Sequence, residues 1–340
     1  MRTPSFWYRN TGPFHRLCGF LLSPLSNLYG QCHQARTSST TPVDLSIPIF
    51  CIGNLILGGA GKTPTAIAIA TQMKELGLNV HFLSRGYGGA LKGPLKVDPQ
   101  IHSSRQVGDE PLLLSQTAPT WISRDRVQGA KKAMEAGADV IVMDDGFQNN
   151  SLQKDCSFVV IDGLNGFGNM RLFPAGPLRE PLQEGLKRAQ VAVIVGEDKQ
   201  NVQQYLKRNH PDLPILEAIL VPELAKTPAC FPKKFIGFAG IAFPKKFFKT
   251  LESLGGKVVE THSYSDHHQY RKRELSFLKK RSRKEKACLI TTEKDFFRLP
   301  KKHQKGIFPL PIRLEWKSIS QRKWLKELIL SYENETASEN

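Results

Sequence analysis

The N-terminal part of this sequence has no apolar run long enough to cross a bilayer. Its longest apolar stretch, residues 17–29, is interrupted by serine, proline and asparagine, whereas a membrane-spanning helix needs about 20 mainly apolar residues. Cysteine is scarce as well: the six cysteines are scattered, with no C-x-x-C pair and no histidine at metal-ligand spacing. The sequence therefore argues against a spanning helix there, a disulfide framework and a structural zinc site, and it favours a reducing cytoplasm.

Acidic residues are the other deficit. Among 340 residues, 48 are lysine or arginine and 31 are aspartate or glutamate, which gives a formal net charge of +17. Such a surface attracts polyanions or anionic lipid headgroups. Because no string of aromatic residues and arginines resembles a nucleic-acid stacking platform, we expect no nucleic-acid partner. Length and composition predict about two globular domains.

The first 45 residues combine apolar and basic residues in the manner of a membrane-surface segment. Apolar positions at three-and-four spacing predict an amphipathic helix that kinks at Pro24. These positions are Phe14, Leu17, Cys18, Leu21, Leu22, Leu25, Leu28 and Tyr29. No acidic residue precedes Asp44, and the aromatic run at 6–8 is typical of a membrane interface. A mitochondrial transit peptide and a helix that packs on its own protein are the alternatives.

A glycine-rich loop lies between an apolar strand and a helix. The run 47–54 is apolar, and residues 65–76 have helical character with Gly77 as a stop. This is the setting of a P-loop, in which backbone N–H groups surround phosphates, a lysine reaches them and a threonine hydroxyl faces Mg²⁺. The predicted nucleotide-binding residues are Ile56, Leu57, Gly58, Gly59, Ala60, Gly61, Lys62 and Thr63. Ile56 stands where the usual motif has its first glycine.

Two adjacent carboxylates end a second apolar strand. Asp144 and Asp145 follow the run 139–143, and ligands bind at the carboxyl edge of a parallel sheet. A carboxylate there can hold Mg²⁺ directly or through water, although a plain strand-to-turn junction has the same pattern. Further strand-like and helical runs alternate along the chain, which predicts a parallel sheet with helices on both faces.

We predict an α/β protein with three parts. Residues 1–45 form the membrane-associating segment with its surface helix, 46–221 a P-loop NTPase-like domain built on a parallel sheet, and 233–340 a second, smaller α/β domain. The proline-rich stretch 222–232 is the predicted linker.

An ordered set of short motifs carries a family resemblance. They are Ser-Arg-Gly-Tyr-Gly-Gly at 84–89, Gly-Asp-Glu-Pro at 108–111, Asp-Asp-Gly-Phe-Gln at 144–148, Asn-Met-Arg-Leu-Phe-Pro-Ala-Gly-Pro-Leu-Arg-Glu-Pro at 169–181 and Asp-His-His at 266–268. With a P-loop that ends in Gly-Lys-Thr-Pro, they make the sequence closely resemble the tetraacyldisaccharide 4′-kinases, from about Trp7 to beyond Asp295. These lipid A enzymes use ATP to phosphorylate the 4′-hydroxyl of a membrane-embedded acylated glucosamine disaccharide 1-phosphate, and they too lack the first P-loop glycine.

The resemblance implies a role for each candidate residue. Asp109 matches the base that accepts the hydroxyl proton, His267 matches the histidine that orients it, and Lys62 would stabilise the transferring phosphoryl group. The implied Mg²⁺ residues are Thr63, Glu110, Asp144 and Asp145, and the implied residues for the anionic disaccharide are Arg85, Tyr87, Arg124 and Arg171. Without the family, Asp109 and Glu110 suit a first helical turn equally well, and His267 and His268 suit a hydrogen-bonded surface.

The resemblance also implies partners and a location. The partners are the glycolipid and the anionic inner-membrane surface, with the protein peripheral or monotopic on the cytoplasmic face. Basic clusters at 271–273, 279–286 and 301–302 would press it onto that surface.

Two other classes stay open, namely a nucleic-acid-binding P-loop ATPase and a P-loop GTPase or metal-insertion switch. A GTPase needs an Asn-Lys-x-Asp motif, and the Thr-Glu-Lys-Asp string at 292–295 has the lysine and aspartate adjacent.

Overall fold

The computed structural model describes residues 4–8, 12–38, 40–223 and 234–338. In chain order its strands are β1 (Ile49–Gly53), β2 (Val80–Ser84), β3 (Leu95–Lys96), β4 (Thr120–Ile122), β5 (Val140–Asp144), β6 (Cys156–Asp162), β7 (Val191–Val195), β8 (Ile215–Pro222), β9 (Lys234–Ala239), β10 (Lys257–Ser263), β11 (Cys288–Thr292), β12 (Ile307–Leu310) and β13 (Ile312–Trp316). Its helices are α1 (Pro13–Leu21), α2 (Ser23–Ser38), α3 (Lys62–Glu75), α4 (Ser104–Val107), α5 (Asp109–Leu114), α6 (Arg126–Glu135), α7 (Leu182–Lys187), α8 (Val202–Asn209), α9 (Pro244–Ser253), α10 (Lys272–Glu285), α11 (Glu293–Arg298), α12 (Lys301–Gln304) and α13 (Ile319–Ser338).

The larger sheet has, within the described residues, the strand order β13–β8–β7–β6–β1–β5–β2–β4–β3. The strands from β8 to β4 pair in parallel, and only the two edge strands run antiparallel to their neighbours. Side chains of the central strand β1 alternate between two apolar layers: Phe50 and Ile52 join α3 and α13, whereas Ile49 and Cys51 join α6 and α8. This sheet with helices on both faces confirms the predicted P-loop-like α/β class.

The smaller sheet has the order β10–β9–β11–β12, and all of its strands are parallel. Helix α9 covers one face with Phe247, Phe248 and Leu251, and α10 covers the other with Leu275 and Leu278. This is the second, smaller α/β unit of the predicted architecture.

The chain returns to the larger sheet after β12, which corrects the predicted extent of the smaller domain. Strand β13 pairs with β8, and α13 buries Leu325 and Ile329 in the core that contains α3. The expectation that all of 233–340 belongs to the second domain is therefore wrong beyond β12. An edge strand is defined by a partner nearly a hundred residues away, which local pattern does not reveal. The predicted linker lies outside the described residues from position 224 onward.

The N-terminal segment forms two helices in place of one kinked helix. Helix α1 ends before Leu22, and Pro24 lies in the first turn of α2, where proline is tolerated. Trp7 is buried, and its indole N–H donates to the carbonyl of Pro174 at 3.1 Å. The expected membrane-interface position is therefore wrong for Trp7, because this side chain packs on the protein itself. No helix in the described part of the chain has the length and apolarity needed to cross a membrane.

We predict that Ile329→Ala destabilises the larger domain, because the deleted methyl groups leave a cavity between α13 and the sheet. The expected loss in the free energy of unfolding is about 2–4 kcal/mol. Hydrogen exchange should accelerate in α3 and β8 and leave β9 and β11 unchanged. The exposed Lys326→Ala on the same helix is the control. Faster exchange confined to β9 and β11 would contradict the placement of α13.

Candidate functional site

The P-loop joins the carboxyl end of the central strand β1 to α3. Gly61 precedes the helix with a φ of +94°, a left-handed conformation that favours glycine. A Cβ at this position would also lie 3.4 Å from the side chain of Val195. Because glycine offers no side chain to cap the helix, the first-turn N–H groups and the positive end of the helix dipole are available to an anion.

Lys62 is buried at the start of α3. Its Nζ lies 3.3 Å from the Asn54 side-chain oxygen and 3.5 Å from Oδ1 of Asp145. These contacts fold the lysine back over its own loop, so the ammonium group lies where a P-loop lysine reaches nucleotide phosphates.

Asp144 ends β5 beside the P-loop. The Thr63 hydroxyl donates to its Oδ2 at 3.0 Å, and its Oδ1 is buried with no hydrogen-bond partner among the described residues. Burial raises the pKa of Asp144 to about 7, and the carboxylates of Glu110 and Asp145 act in the same direction. An unpaired buried carboxylate oxygen beside a threonine hydroxyl fits a Mg²⁺ ion that takes its other ligands from phosphates and water.

Asp145, the next residue, has a different environment. Its Oδ1 accepts from Arg179 at 2.8 Å, and Arg179 also donates to the Ile56 carbonyl at 3.1 Å. Burial alone would raise the pKa of Asp145, but Lys62 and Arg179 outweigh it and lower that pKa to about 2. Arg179 therefore ties the carboxyl edge of β5 to the P-loop.

Asp109 and His267 meet across the cleft between the two domains. Asp109 begins α5 in the larger domain, and His267 lies on the loop before α10 in the smaller one. Oδ1 of Asp109 is 3.8 Å from Nδ1 of His267, while Oδ2 accepts from Arg298 of α11. Burial would raise the pKa of Asp109, but Arg298, Lys294 and His267 outweigh it and lower that pKa. A carboxylate that is ionised and close to a histidine is equipped to accept a proton.

Glu110, the residue that follows Asp109, binds a lysine of the smaller domain. Lys294 Nζ lies 2.6 Å from Oε1 of Glu110. Among the described residues no group of three or more histidine, cysteine, aspartate or glutamate side chains is arranged to hold a metal by itself. An ion at Asp144 would therefore depend on the phosphates of a nucleotide.

The other predicted residues divide between the cleft and a separate surface. Arg85, Tyr87 and Arg124 line the cleft, whose volume is about 2290 Å³. The Tyr87 ring packs edge-on against His267, with 5.3 Å between ring centroids. Arg171 is not among the lining residues and donates instead to the Ser23 hydroxyl of α2 at 3.4 Å. His268 faces Glu274, with Nε2 at 3.1 Å from Oε2.

Sequence reasoning did not assign a site role to Asn54, Gln148, Lys294 or Arg298. The Gln148 amide donates to the Asn54 carbonyl at 2.8 Å, so it supports the start of the P-loop. Lys294 belongs to the Thr-Glu-Lys-Asp string, which was weighed above only as an imperfect guanine motif. The same string begins α11, the helix that faces α5, and this clustering of charged residues in a first helical turn could have indicated a site role for Lys294.

The fold and this edge of charged residues define a P-loop nucleotide-binding protein. The sequence profile of the tetraacyldisaccharide-1-P 4′-kinase family matches residues 18–330. The chain is 43% identical over 316 residues to the tetraacyldisaccharide 4′-kinase of Rhodospirillum centenum, covering 93% of each protein. It is 46% identical over 303 residues to that of Methylorubrum extorquens, covering 88% of this chain and 90% of that protein.

A solved structure agrees with these relatives. LpxK from Aquifex aeolicus, in complex with ATP, superposes with a TM-score of 0.73 at 27% identity, covering 92% of this chain and 99% of that one. This chain belongs to the tetraacyldisaccharide-1-phosphate 4′-kinase family, which confirms the resemblance found in the sequence.

We predict that Asp144 makes the free protein less stable as the pH rises. Its pKa is about 7 in the folded protein against 3.8 for the ordinary group. The stability that its proton contributes is therefore fully present below about pH 4 and is lost as the pH rises through 7. Between about pH 4.5 and 8, wild type should lose on the order of a few kcal/mol of unfolding free energy relative to Asp144→Asn. Urea unfolding without nucleotide measures this difference.

The exposed Asp212→Asn is the control for this experiment, because it removes a carboxylate from the surface. Its difference from wild type should stay constant over the same pH range. A constant difference for Asp144→Asn as well would contradict the burial of that carboxylate with one oxygen unpartnered by any described residue.

Proposed function

We propose that this protein transfers the γ-phosphoryl group of ATP to the 4′-hydroxyl of tetraacyldisaccharide 1-phosphate, giving lipid IVA in lipid A biosynthesis. The observation that carries the proposal is the cleft geometry: the P-loop with Lys62 and the side chain of His267 line the same cleft, and Asp109 is buried beside His267, with 3.8 Å between Oδ1 and Nδ1. A phosphoryl donor and a hydroxyl acceptor need such an arrangement, since phosphoryl transfer depends mainly on position and charge. Family membership supports the choice of acceptor.

The residues of this chain have separable tasks in that reaction. The N-terminus of α3 and Lys62 bind the phosphates and stabilise the negative charge of the transferring group. Asp109 accepts the proton of the acceptor hydroxyl, and His267, 3.8 Å away, stabilises that carboxylate electrostatically. Arg85, Tyr87 and Arg124 line the cleft, where two guanidinium groups and a phenol suit an anionic sugar. The inferred substrate role of Arg171 would require contact with a part of the glycolipid near α1 and α2.

Mg²⁺ fits the carboxyl edge of the sheet. Thr63 and Asp144 would hold it together with phosphates and water, and Glu110 and Asp145 would reach it only after exchange of their present cationic partners. When bound, the ion would neutralise charge on the phosphates.

We place the protein on the cytoplasmic face of the inner membrane. The N-terminal helices expose a set of large apolar side chains: Leu17, Phe20, Leu21, Leu25 and Leu28 are each more than half exposed. Apolar side chains of this size stabilise a helix at the headgroup boundary, and the net charge of +17 attracts anionic lipid. This supports a peripheral or monotopic attachment beside the glycolipid substrate.

The kinase activity is tested by transfer of labelled γ-phosphate from ATP to tetraacyldisaccharide 1-phosphate in mixed micelles. We expect wild type to form product, and Lys62→Ala and Asp109→Asn each to lower kcat by about 10²–10³-fold, since each removes a charge that acts at the reacting atoms. Lys132→Ala and Asp212→Asn, both on the surface, are matched controls with near-normal rates. A folded wild type that binds ATP and forms no product would contradict the proposal.

Membrane attachment is tested with phosphatidylglycerol vesicles. Replacing Leu17, Phe20 and Leu21 together by serine should weaken vesicle binding by at least about tenfold, because the apolar area that these side chains would bury in the lipid is lost. Ile101→Ser with Ile319→Ser removes equally exposed apolar side chains elsewhere and should leave binding unchanged. High salt should also weaken binding by screening, and equal binding by both variants would argue against these helices as the membrane surface.

A further inference from the structure

Arg298 is a buried arginine at the end of α11 that lies against both residues of the proton-accepting pair. Its side chain is 2% exposed. One nitrogen, Nη2, donates to Oδ2 of Asp109 and lies 3.4 Å from Nδ1 of His267. Asp109 belongs to the larger domain and His267 to the smaller one. The Arg298 guanidinium therefore bridges Asp109 and His267.

Asp109 and His267 are not hydrogen-bonded to each other. Their closest nitrogen and oxygen atoms are 3.8 Å apart, which exceeds the length of a hydrogen bond. Arg298 also fixes the histidine loop: its Nη1 donates to the Gly240 carbonyl at 2.5 Å, and the backbone N–H of His267 donates to that same carbonyl at 3.1 Å. One guanidinium thus sets the position of the carboxylate and of the loop that carries the histidine.

The smaller domain holds Arg298 rigidly without help from Asp109. Nη1 lies 2.9 Å from Oδ1 of Asp295, and Asp295 is itself fixed by the Tyr270 hydroxyl at 2.8 Å and the Thr292 hydroxyl at 2.7 Å. Because Asp295 already neutralises the buried arginine, the Nη2 arm is not required to stabilise its own domain. A planar guanidinium whose Nη1 is fixed by Asp295 is suited to orient the Asp109 carboxylate through its Nη2.

We propose that Arg298 is the positioning residue that assembles Asp109 and His267 into one proton-accepting unit when the two domains meet. The proposal rests on the kinase function proposed above. Arg298 orients Oδ2 of Asp109, which leaves Oδ1 on the side of His267, 3.8 Å from its Nδ1. It acts through Asp109 and makes no bond to the substrate.

The test is steady-state kinetics of the full-length protein with ATP and tetraacyldisaccharide 1-phosphate. Arg298→Met should lower kcat by about 10²-fold while the KM for ATP changes less than about threefold, since misplaced reacting groups slow the chemical step and the P-loop is untouched. Arg298→Lys should lose about tenfold, because an ammonium group cannot fork between Asp109 and Asp295. The control is Arg281→Met, which breaks an arginine–carboxylate pair with Glu260 that does not line the cleft.

A double-mutant cycle separates positioning from a general structural effect. In an Asp109→Asn background, Arg298→Met should lower kcat by less than about threefold, because the group through which it acts is already gone. Full additivity, or a KM for ATP that rises as much as kcat falls, would overturn the proposal. If Arg298→Met does not bind ATP, Arg298→Lys decides: a wild-type kcat overturns the proposal and a reduced kcat with normal KM supports it. A wild type that binds ATP and transfers nothing overturns the kinase function itself.

Discussion

The site depends on the different environments of two carboxyl groups at the carboxyl edge of the larger sheet. Asp144 and Asp145 are adjacent in sequence, yet Asp144 pairs with a hydroxyl and Asp145 with Lys62 and Arg179. Their pKa values consequently move in opposite directions, to about 7 and about 2. Burying Oδ1 of Asp144, which has no hydrogen-bond partner in the described part of the chain, costs free energy. A cation bound with nucleotide phosphates would supply that partner.

The smaller domain is inserted between two neighbouring strands of the larger sheet. The chain leaves after β8 and returns at β13, and these strands pair antiparallel, with the Glu223 N–H donating to the Pro311 carbonyl at 2.9 Å. The chain therefore leaves and re-enters the larger sheet at neighbouring positions, as at a hinge. Contacts across the cleft include the ion pairs of Lys246 with Asp162 and of Lys294 with Glu110, each at 2.6 Å, and apolar packing of Phe297 against the cluster that contains Val107 and Leu112. Ion pairs exchange partners more readily than packed apolar side chains do, so these two pairs suit a cleft that admits substrate.

Features of the fold and the site that depend on neighbouring residues could be predicted from the sequence. The P-loop, the acids after β5 and the order of strands and helices follow from glycine spacing and apolar periodicity, and the family resemblance pointed to Asp109 and His267. Contacts between residues far apart in sequence could not be predicted. Nothing in the local pattern of β13 indicates that it pairs with β8. Nothing local to Trp7 distinguishes an aromatic residue at a membrane interface from one that packs on the protein and bonds to Pro174. Arg298 lies 189 residues from Asp109, and only the fold brings that guanidinium to the carboxylate.

The central proposal for this protein is that one cleft brings the nucleotide phosphates and the Asp109–His267 pair together. A crystal structure with Mg²⁺ and a non-hydrolysable ATP analogue tests this most directly. We expect the terminal phosphate to lie against Lys62 and the N-terminus of α3 on the side that faces Asp109, with density for an ion beside Asp144. A terminal phosphate bound away from Lys62, or directed out of the cleft and away from Asp109, would contradict it.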